Sequence, residues 1–231
     1  MQKKMTYLQG AFILSIANLL TGILSFVYRI FLSKSIGAEG MGVYQLIMPL
    51  YMLFITLVSG GLATSISKLV AENKAKGNNS NVYKIIRVSL MMAGLWSITC
   101  CFLIAFNADF FAERILKDER TLLSIIIFSP AIVFIALSAV FKGYFYGVEK
   151  TNIPAVIDIF EKLIRLIILV ITTNHFIEFG IEYVCAGAML AMVSGEILSL
   201  MLLFVAYRRR KIPLIYDMKT DSTFNIINNI L

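Results

Sequence analysis

The sequence predicts an all-α, polytopic membrane protein with six transmembrane helices. Of its 231 residues, 59% are hydrophobic and only 15% are charged, and the mean hydropathy is +0.83. A typical soluble domain carries about 25% charged residues. Six segments are predominantly apolar and reach about 20 residues or more, the length that a helix needs to cross a bilayer. They are 10–32, 43–67, 84–106, 121–146, 153–174 and 183–207.

Lysine and arginine are distributed unevenly over the two ends of these segments, and this predicts the orientation. Thirteen of them fall on the side that holds both termini, against five on the other side. Cytoplasmic loops of membrane proteins have an excess of basic residues. We therefore expect a multi-pass protein of the cell membrane with both termini in the cytoplasm. The net charge of +7 reflects these loops, so we expect no nucleic-acid partner.

The first segment, 10–32, spans about 34 Å as a helix, which is too long for the apolar region of a signal peptide. Its polar residues lie within about 100° of one another around the helix. They are Asn18, Thr21, Gly22, Ser25 and Arg29. Small and hydroxyl-bearing residues allow membrane helices to pack closely. Arg29 lies about one turn from the outer end, so it either reaches the lipid headgroups or faces a cavity.

The second segment, 43–67, also has its polar residues in one stripe about 100° wide, which is typical of a helix packed against other helices. The third and fourth segments, 84–106 and 121–146, are apolar. The links between these segments are a Gly-rich stretch (33–42), a polar basic stretch (71–81) and a mixed stretch that is net acidic (107–120).

The fifth segment, 153–174, has four charged residues in its first half, namely Asp158, Glu161, Lys162 and Arg165. They lie on one face about 100° wide, and the spacing predicts acid-before-base pairs Asp158–Lys162 and Glu161–Arg165. A charge that faces lipid at the bilayer centre costs at least about 2.5–3.5 kcal/mol. This face is therefore expected to contact other helices or a water-filled cavity.

The sixth segment, 183–207, contains one carboxylate, Glu196, near the middle of an apolar run. A carboxylate at that depth either stays protonated or finds a basic partner, and Arg165 is the nearest candidate. Glu196 then serves either a structural ion pair or the coupling of transport to protons or other cations. We expect 1–211 to form one transmembrane lobe and 212–231 to be a cytoplasmic linker followed by the start of another helix.

No Walker, HExxH or CxxC sequence is present, and no Ser/His/Asp set lies in the loops. These patterns mark phosphate, metal, redox and acyl-transfer sites. We therefore expect neither an enzyme nor a bound cofactor or metal.

Three longer stretches and one basic run are distinctive in combination. They are FVYRIFLSKSIGAEGMGVYQLIMPL (26–50), GGLATSISKLVAE (60–72), VFKGYFYGVEKTNIPAVIDIFEKLIRL (140–166) and RRRK (208–211). The most specific pattern among them is a basic residue before G-Y-F-x-G, followed by a predicted helix that has a proline in its first turn and the motif E-x-x-x-R. Together they resemble the multidrug/oligosaccharidyl-lipid/polysaccharide (MOP) exporter superfamily, most closely its stage V sporulation protein B branch.

The resemblance covers nearly the whole chain and implies one six-helix lobe, the N-terminal half, of a two-lobe flippase. In this superfamily a central cavity opens alternately to each side of the membrane and takes up a lipid-linked sugar or a related amphiphile. The implied partners are such a lipid-linked precursor, membrane lipids and a second lobe. That lobe would be a missing C-terminal half, a partner chain or a second copy, and we expect this chain to be truncated or a fragment.

The resemblance also implies roles for the polar residues inside the membrane. Arg29 matches a first-helix arginine implicated in lipid II flippases of the superfamily, and a diphosphate cargo favours basic cavity residues. The predicted substrate-binding residues are Arg29, Asn18, Thr21, Ser25, Lys162 and Arg165. The predicted coupling or charge-balancing residues are Asp158, Glu161 and Glu196. Further arginines of those flippases are absent from 50–54, which argues against lipid II itself as the cargo.

The leading hypothesis is therefore a flippase lobe that translocates a lipid-linked oligosaccharide or peptidoglycan precursor for spore cortex or cell-wall synthesis. One alternative keeps the fold and changes the cargo, as in a polysaccharide exporter or a cation-coupled drug exporter. The other is a non-transporting membrane scaffold or remnant, in which the charged face of the fifth segment only joins helices.

Overall fold

The computed structural model describes residues 7–209 and 222–230, and within these residues every regular element is a helix. The helices are α1 (Tyr7–Ser59), α2 (Leu62–Ala75), α3 (Asn79–Phe106), α4 (Ala108–Phe110), α5 (Leu122–Phe128), α6 (Ala131–Gly147), α7 (Asn152–Phe176), α8 (Ile181–Arg209) and α9 (Thr223–Ile230). A π-helical turn (Phe111–Leu116) and a 3-10 turn (Glu119–Thr121) lie between α4 and α5. The predicted all-α class is confirmed. Most of the predicted linker, 212–221, lies outside the described residues.

Helix α1 folds back on itself at Gly37. In a straight helix Thr21 and Ile55 would lie about 51 Å apart, yet both line one cavity. Gly37 has φ 65° and ψ −168°, a conformation that is open to glycine and strained for other residues. Gly40 completes the tight reversal, because a Cβ there would stand 2.6 Å from a neighbouring isoleucine side chain. The Gly-rich link 33–42 is thus helical apart from Gly37.

Two of the six apolar segments are interrupted, which their composition alone did not indicate. Segment 43–67 breaks between α1 and α2, where Gly61 has φ 77°. Segment 121–146 breaks between α5 and α6 at Pro130. Proline lacks the N–H that a continuous helix would need there, and its ring crowds the preceding turn. Both breaks lie within the predicted apolar runs.

Within the described residues, four helical stretches are long and apolar enough to cross a membrane. They are Leu14–Ala75, Asn79–Phe106, Glu119–Gly147 and Ile181–Arg209. Helix α7 has 25 residues, about 38 Å, but its charges keep it outside this group. The four stretches indicate a multi-pass membrane protein.

Helix α6 lies at the centre of the bundle and packs against α2, α3 and α8. Its contact with α2 is close because Gly143 and Gly147 lie one turn apart on the same face. Helices α7 and α8 pack against each other, and α1 contacts both. This arrangement brings the charged face of α7 against α1, α6 and α8, where the candidate site forms.

Candidate functional site

Glu161 on α7 is the centre of an ion-pair network inside the bundle. Its Oε1 accepts hydrogen bonds from Arg165 Nη2 at 2.8 Å and from Lys162 Nζ at 3.0 Å. Arg165 Nη2 also donates to Glu196 Oε1 at 2.9 Å, which joins α7 to α8. The side chains of Glu161, Arg165 and Glu196 are 4%, 11% and 13% exposed. The Glu161–Arg165 pair that the spacing predicted is present, as is the partner suggested for Glu196.

The predicted Asp158–Lys162 pair does not form. Asp158 Oδ1 lies instead 2.8 Å from Lys142 Nζ of α6, and Lys162 pairs with the adjacent Glu161. The reason is tertiary packing: α6 places Lys142 next to Asp158, and Lys162 pairs with Glu161 on its own helix. Lys142 is one of the thirteen basic residues that the charge distribution assigns to the side of the termini, yet its side chain is 25% exposed and lies inside the bundle. A single lysine within the apolar sequence of α6 was the signal for its internal position.

A cavity of about 440 Å³ lies between the two halves of α1 and the helices α7 and α8. We call it the α1 cavity, and its polar lining consists of Ser25, Tyr28, Arg29, Tyr44, Lys162 and Arg165. Three of these residues are cationic, and none of the described residues lining the cavity is acidic. The rest of the lining is apolar and includes Met48, Met52 and Met192. Such a space suits a ligand with an anionic group and an apolar body.

A second cavity of about 370 Å³ adjoins the first through Lys162, which lines both. We call it the acidic cavity, and its polar lining includes Thr21, Ser138, Lys142, Asp158, Glu161 and Glu196. Ser138 is 2% exposed, and its hydroxyl has no hydrogen-bond partner among the described residues. The carboxylates and hydroxyls of this cavity are groups that bind protons or hard cations.

The four predicted residues of the first segment do not share one role. Arg29 and Ser25 line the α1 cavity, and Thr21 lines the acidic cavity. Asn18 is exposed and lines neither; its backbone carbonyl accepts a hydrogen bond from Thr21 Oγ1. The Ser25 hydroxyl bonds to the Thr21 carbonyl within the helix. The polar stripe therefore runs along the cavities, with Arg29 as its charged member.

The positive and negative charges of the network are equal in number, and Arg29 is a further cation that does not belong to it. Three cations and three anions make up the network in their usual charge states: Lys142, Lys162, Arg165, Asp158, Glu161 and Glu196. Arg29 is exposed and forms no ion pair with any residue of 7–209 or 222–230. Its guanidinium is thus available to a bound anion.

Two tyrosines of the α1 cavity were missed by the sequence analysis, which followed charges and hydroxyl-bearing small residues. Tyr28 Oη donates to the carbonyl of Ala188 at 3.2 Å, and Tyr44 Oη lies 4.0 Å from Met192 Sδ. Both contacts tie α1 to α8 at the cavity wall. The signal was that Tyr28 lies next to Arg29 and that Tyr44 lies at the start of segment 43–67, next to the polar residue Gln45.

The link 107–120 is held to the reversal of α1 by charged residues outside the apolar stretches. Arg120 pairs with Glu39 at 2.6 Å and with Asp118 at 2.9 Å. The hydrogen bonds from the Arg120 side chain hold the pKa of Asp118 below its usual range. This contact joins the link 107–120 to α1 next to its reversal at Gly37.

Comparison with known proteins gives a consistent set of matches. The family model described as "Polysaccharide biosynthesis protein" matches residues 7–230. Stage V sporulation protein B of Bacillus subtilis (strain 168) is 39% identical over 208 residues, which are 90% of this chain and 40% of that protein. Lipid II flippase MurJ of the same strain is 25% identical over 231 residues, 95% of this chain and 42% of that one.

Among solved structures, a MOP superfamily transporter from Pyrococcus furiosus superposes with a TM-score of 0.73 at 16% identity. The match covers 96% of this chain and 50% of that one. At this identity the likeness shows the fold alone. The chain thus spans between two fifths and half of the length of these three proteins.

Proposed function

Because the chain belongs to the polysaccharide biosynthesis protein family, we propose that it forms one lobe of a membrane flippase. The cargo that we propose is a lipid-linked oligosaccharide or a peptidoglycan precursor, and the process is the synthesis of spore cortex or cell wall. The relatives include a stage V sporulation protein B and a lipid II flippase, which supports this class of cargo.

The observation that carries the proposal is the unpaired Arg29 in the wall of the α1 cavity. A guanidinium binds phosphate oxygens through two parallel hydrogen bonds, and a diphosphate offers several such oxygens. Lys162 and Arg165 line the same cavity, so an entering anion meets three cations. Ser25 lines that cavity and would provide a further hydrogen bond, and Thr21 would provide one from the adjoining acidic cavity. Asp158, Glu161 and Glu196 would balance these charges or bind a coupling ion in the acidic cavity.

We propose that the chain crosses the membrane six times, with α1 crossing twice and α7 once. The reversal at Gly37 supports the double crossing of α1. The charges of α7 are compatible with a crossing because they face α1, α6 and α8, and its other face is apolar and exposed at Ile167 and Ile171. The lobe is 1–211, with both termini in the cytoplasm, and 212–231 leads toward a second lobe.

A second lobe is part of the proposal. Alternating access in two-repeat transporters comes from one half moving against the other around a site between them. Lining residues of the α1 cavity such as Phe26 and Met52 are exposed, and this chain spans less than half of the length of its curated relatives. We propose that a C-terminal half, a partner chain or a second copy completes the cavity.

Binding of a lipid-linked diphosphate by the complete gene product tests the proposal directly. In nanodiscs, Arg29→Gln should weaken binding of an undecaprenyl diphosphate sugar about 10- to 100-fold, because a hydrogen bond to a charged group contributes about 1.5–3 kcal/mol. Lys34→Gln is the matched control, since Lys34 is exposed on the same helix and does not line the cavity. Equal effects of both changes would overturn the proposal.

The acidic cavity favours one alternative, a cation-coupled drug exporter of the same superfamily. Three carboxylates there, Asp158, Glu161 and Glu196, could hold a cationic drug or its coupling ion. The same nanodisc experiment separates the two functions. Binding of ethidium that is lost in Glu196→Gln, with no binding of the lipid diphosphate, would favour the exporter.

The scaffold alternative predicts that cavity arginines are needed only for folding. Arg165 cannot decide this question, because it joins α7 to α8 and its loss should destabilise the bundle under either hypothesis. Arg29 can, since it has no ion-pair partner among the described residues. A folded Arg29→Ala variant without cargo binding favours transport, and an unfolded one favours the scaffold.

A further inference from the structure

A groove of about 380 Å³ runs along the outer surface where α7 meets α8. We call it the α7–α8 groove, and its lining includes Asn152, Val156, Phe160, Leu202, Val205 and Arg209. It is separate from both cavities, since it shares no lining residue with them. Val156 and Phe160 lie about 160° and 200° around α7 from Asp158, opposite the charged face.

The groove has an apolar floor and a polar mouth. Helices α7 and α8 run antiparallel here, so Asn152 at the start of α7 and Arg209 at the end of α8 lie at the same end. Between Leu202 and Arg209 the wall is about 10 Å long. Val156, Phe160 and Val205 are 47%, 53% and 43% exposed, so the floor is open to the surrounding lipid.

Among residues 7–209 and 222–230, no acidic side chain balances the charge at the mouth. Arg209 forms no ion pair with a described residue, and Asn152 forms no side-chain hydrogen bond with one. The neighbouring Arg208 differs, because its guanidinium stacks over the ring of Phe204 at 5.2 Å. Of the nearby acids, Glu149 precedes α7 and pairs with Lys74, while Asp158 lies within α7 and pairs with Lys142.

We propose that the α7–α8 groove binds a membrane phospholipid with an anionic headgroup. Its phosphate lies against Arg209 and the amide of Asn152, and one acyl chain follows the apolar floor toward Phe160. Basic pockets at the ends of transmembrane helices attract anionic lipids, and an arginine fork matches phosphate geometry. The bound lipid neutralises Arg209 and fills the seam between α7 and α8, the pair that holds the ion-pair network together.

Lipid-dependent thermal stability of the complete gene product tests this site. In detergent micelles, phosphatidylglycerol should raise the Tm more than phosphatidylcholine does, because a ligand that binds only the folded state stabilises it. Arg209→Gln should remove more than half of the phosphatidylglycerol-dependent shift. Arg208→Gln is the matched control, which removes the same charge one residue away and should keep the shift.

Two more variants fix the location of the lipid. Ala206→Phe fills the floor of the groove while keeping both arginines, and it should also remove the shift. Arg29→Gln should keep it, so that failure of the proposed cargo site and failure of this site are distinguishable. Equal losses in Arg208→Gln and Arg209→Gln, or equal shifts with phosphatidylglycerol and phosphatidylcholine, would overturn the proposal.

Discussion

Glu161 is the residue on which the charged network depends. Its carboxylate is 4% exposed and accepts from two cations, one of which also reaches Glu196 on α8. Removing one partner of a buried ion pair leaves the others desolvated without compensation. The network therefore couples the packing of α7 to that of α8, because each of these buried charges would destabilise the fold without its partner.

Glu161→Ala should lower the free energy of unfolding by about 3–5 kcal/mol, the usual cost of breaking a buried ion pair. Thermal and denaturant unfolding in micelles would measure this. Glu149→Ala is the control, because Glu149 is 76% exposed and lies 3.7 Å from Lys74. An exposed pair of this kind contributes at most about 1 kcal/mol. Similar losses in the two variants would contradict a structural role for the buried network.

The helical spacing of the sequence predicted part of this network and missed the rest. The i, i+4 rule identified Glu161–Arg165, because both residues lie on α7 and need only helical geometry. It failed for Asp158, whose partner Lys142 comes from α6 and depends on tertiary packing. The assignment of ligand-binding and coupling roles to these residues stays a prediction.

Helix α6 owes its central position to close approach against α2. A Cβ at Gly143 would stand 2.8 Å from the carbonyl oxygen of Ala63, and one at Gly147 would stand 2.7 Å from that of Ser67. Backbone atoms cannot move aside as a side chain does, so these positions accept only glycine without displacing a helix. The same glycines lie in the G-Y-F-x-G motif of the sequence.

Gly143→Ala should lower the unfolding free energy by about 1–3 kcal/mol, because the added methyl overpacks the contact between α6 and α2. Gly94→Ala on α3 is the matched control, since the nearest atom to its added Cβ would be 3.9 Å away. That change should be neutral or stabilising by up to about 1 kcal/mol through helix propensity. Thermal unfolding of both variants measures the difference, and equal destabilisation would contradict close packing as the role of Gly143.

The apolar runs of the sequence predicted the positions of the helices more accurately than the residues at which they end. The positions of α7 and α8 follow 153–174 and 183–207 closely, because one apolar run makes one helix in each. The polar link 71–81 is mostly helical instead, since α2 continues to Ala75 and Asn78 caps α3 by accepting from the Asn81 N–H. Polarity alone does not end a helix when a capping side chain allows the next one to begin at once.

At the scale of the whole molecule, the family match covers residues 7–230. The resemblance to the MOP superfamily and its stage V sporulation protein B branch is confirmed by the family match and by the 39% identical relative. That relative is matched over 40% of its own length. Family-specific motifs such as K-G-Y-F-x-G made this membership predictable from residues. Under the proposed function the cavity is shared by two lobes, so the residues of this chain predict the charge of the cargo but not its identity.

The path of α7 decides whether the lobe has six crossings. In a background without Cys100, Cys101 and Cys185, single cysteines at the exposed residues Glu149 and Glu178 flank this helix. If α7 crosses and the basic side is cytoplasmic, a membrane-impermeant maleimide should label position 178 on intact cells and position 149 only after permeabilisation. Cysteines at Asp109 and Lys76 serve as outer and inner controls. Labelling of 149 and 178 from the same side would mean that α7 does not cross the membrane, and the proposed lobe would have five spans instead of six.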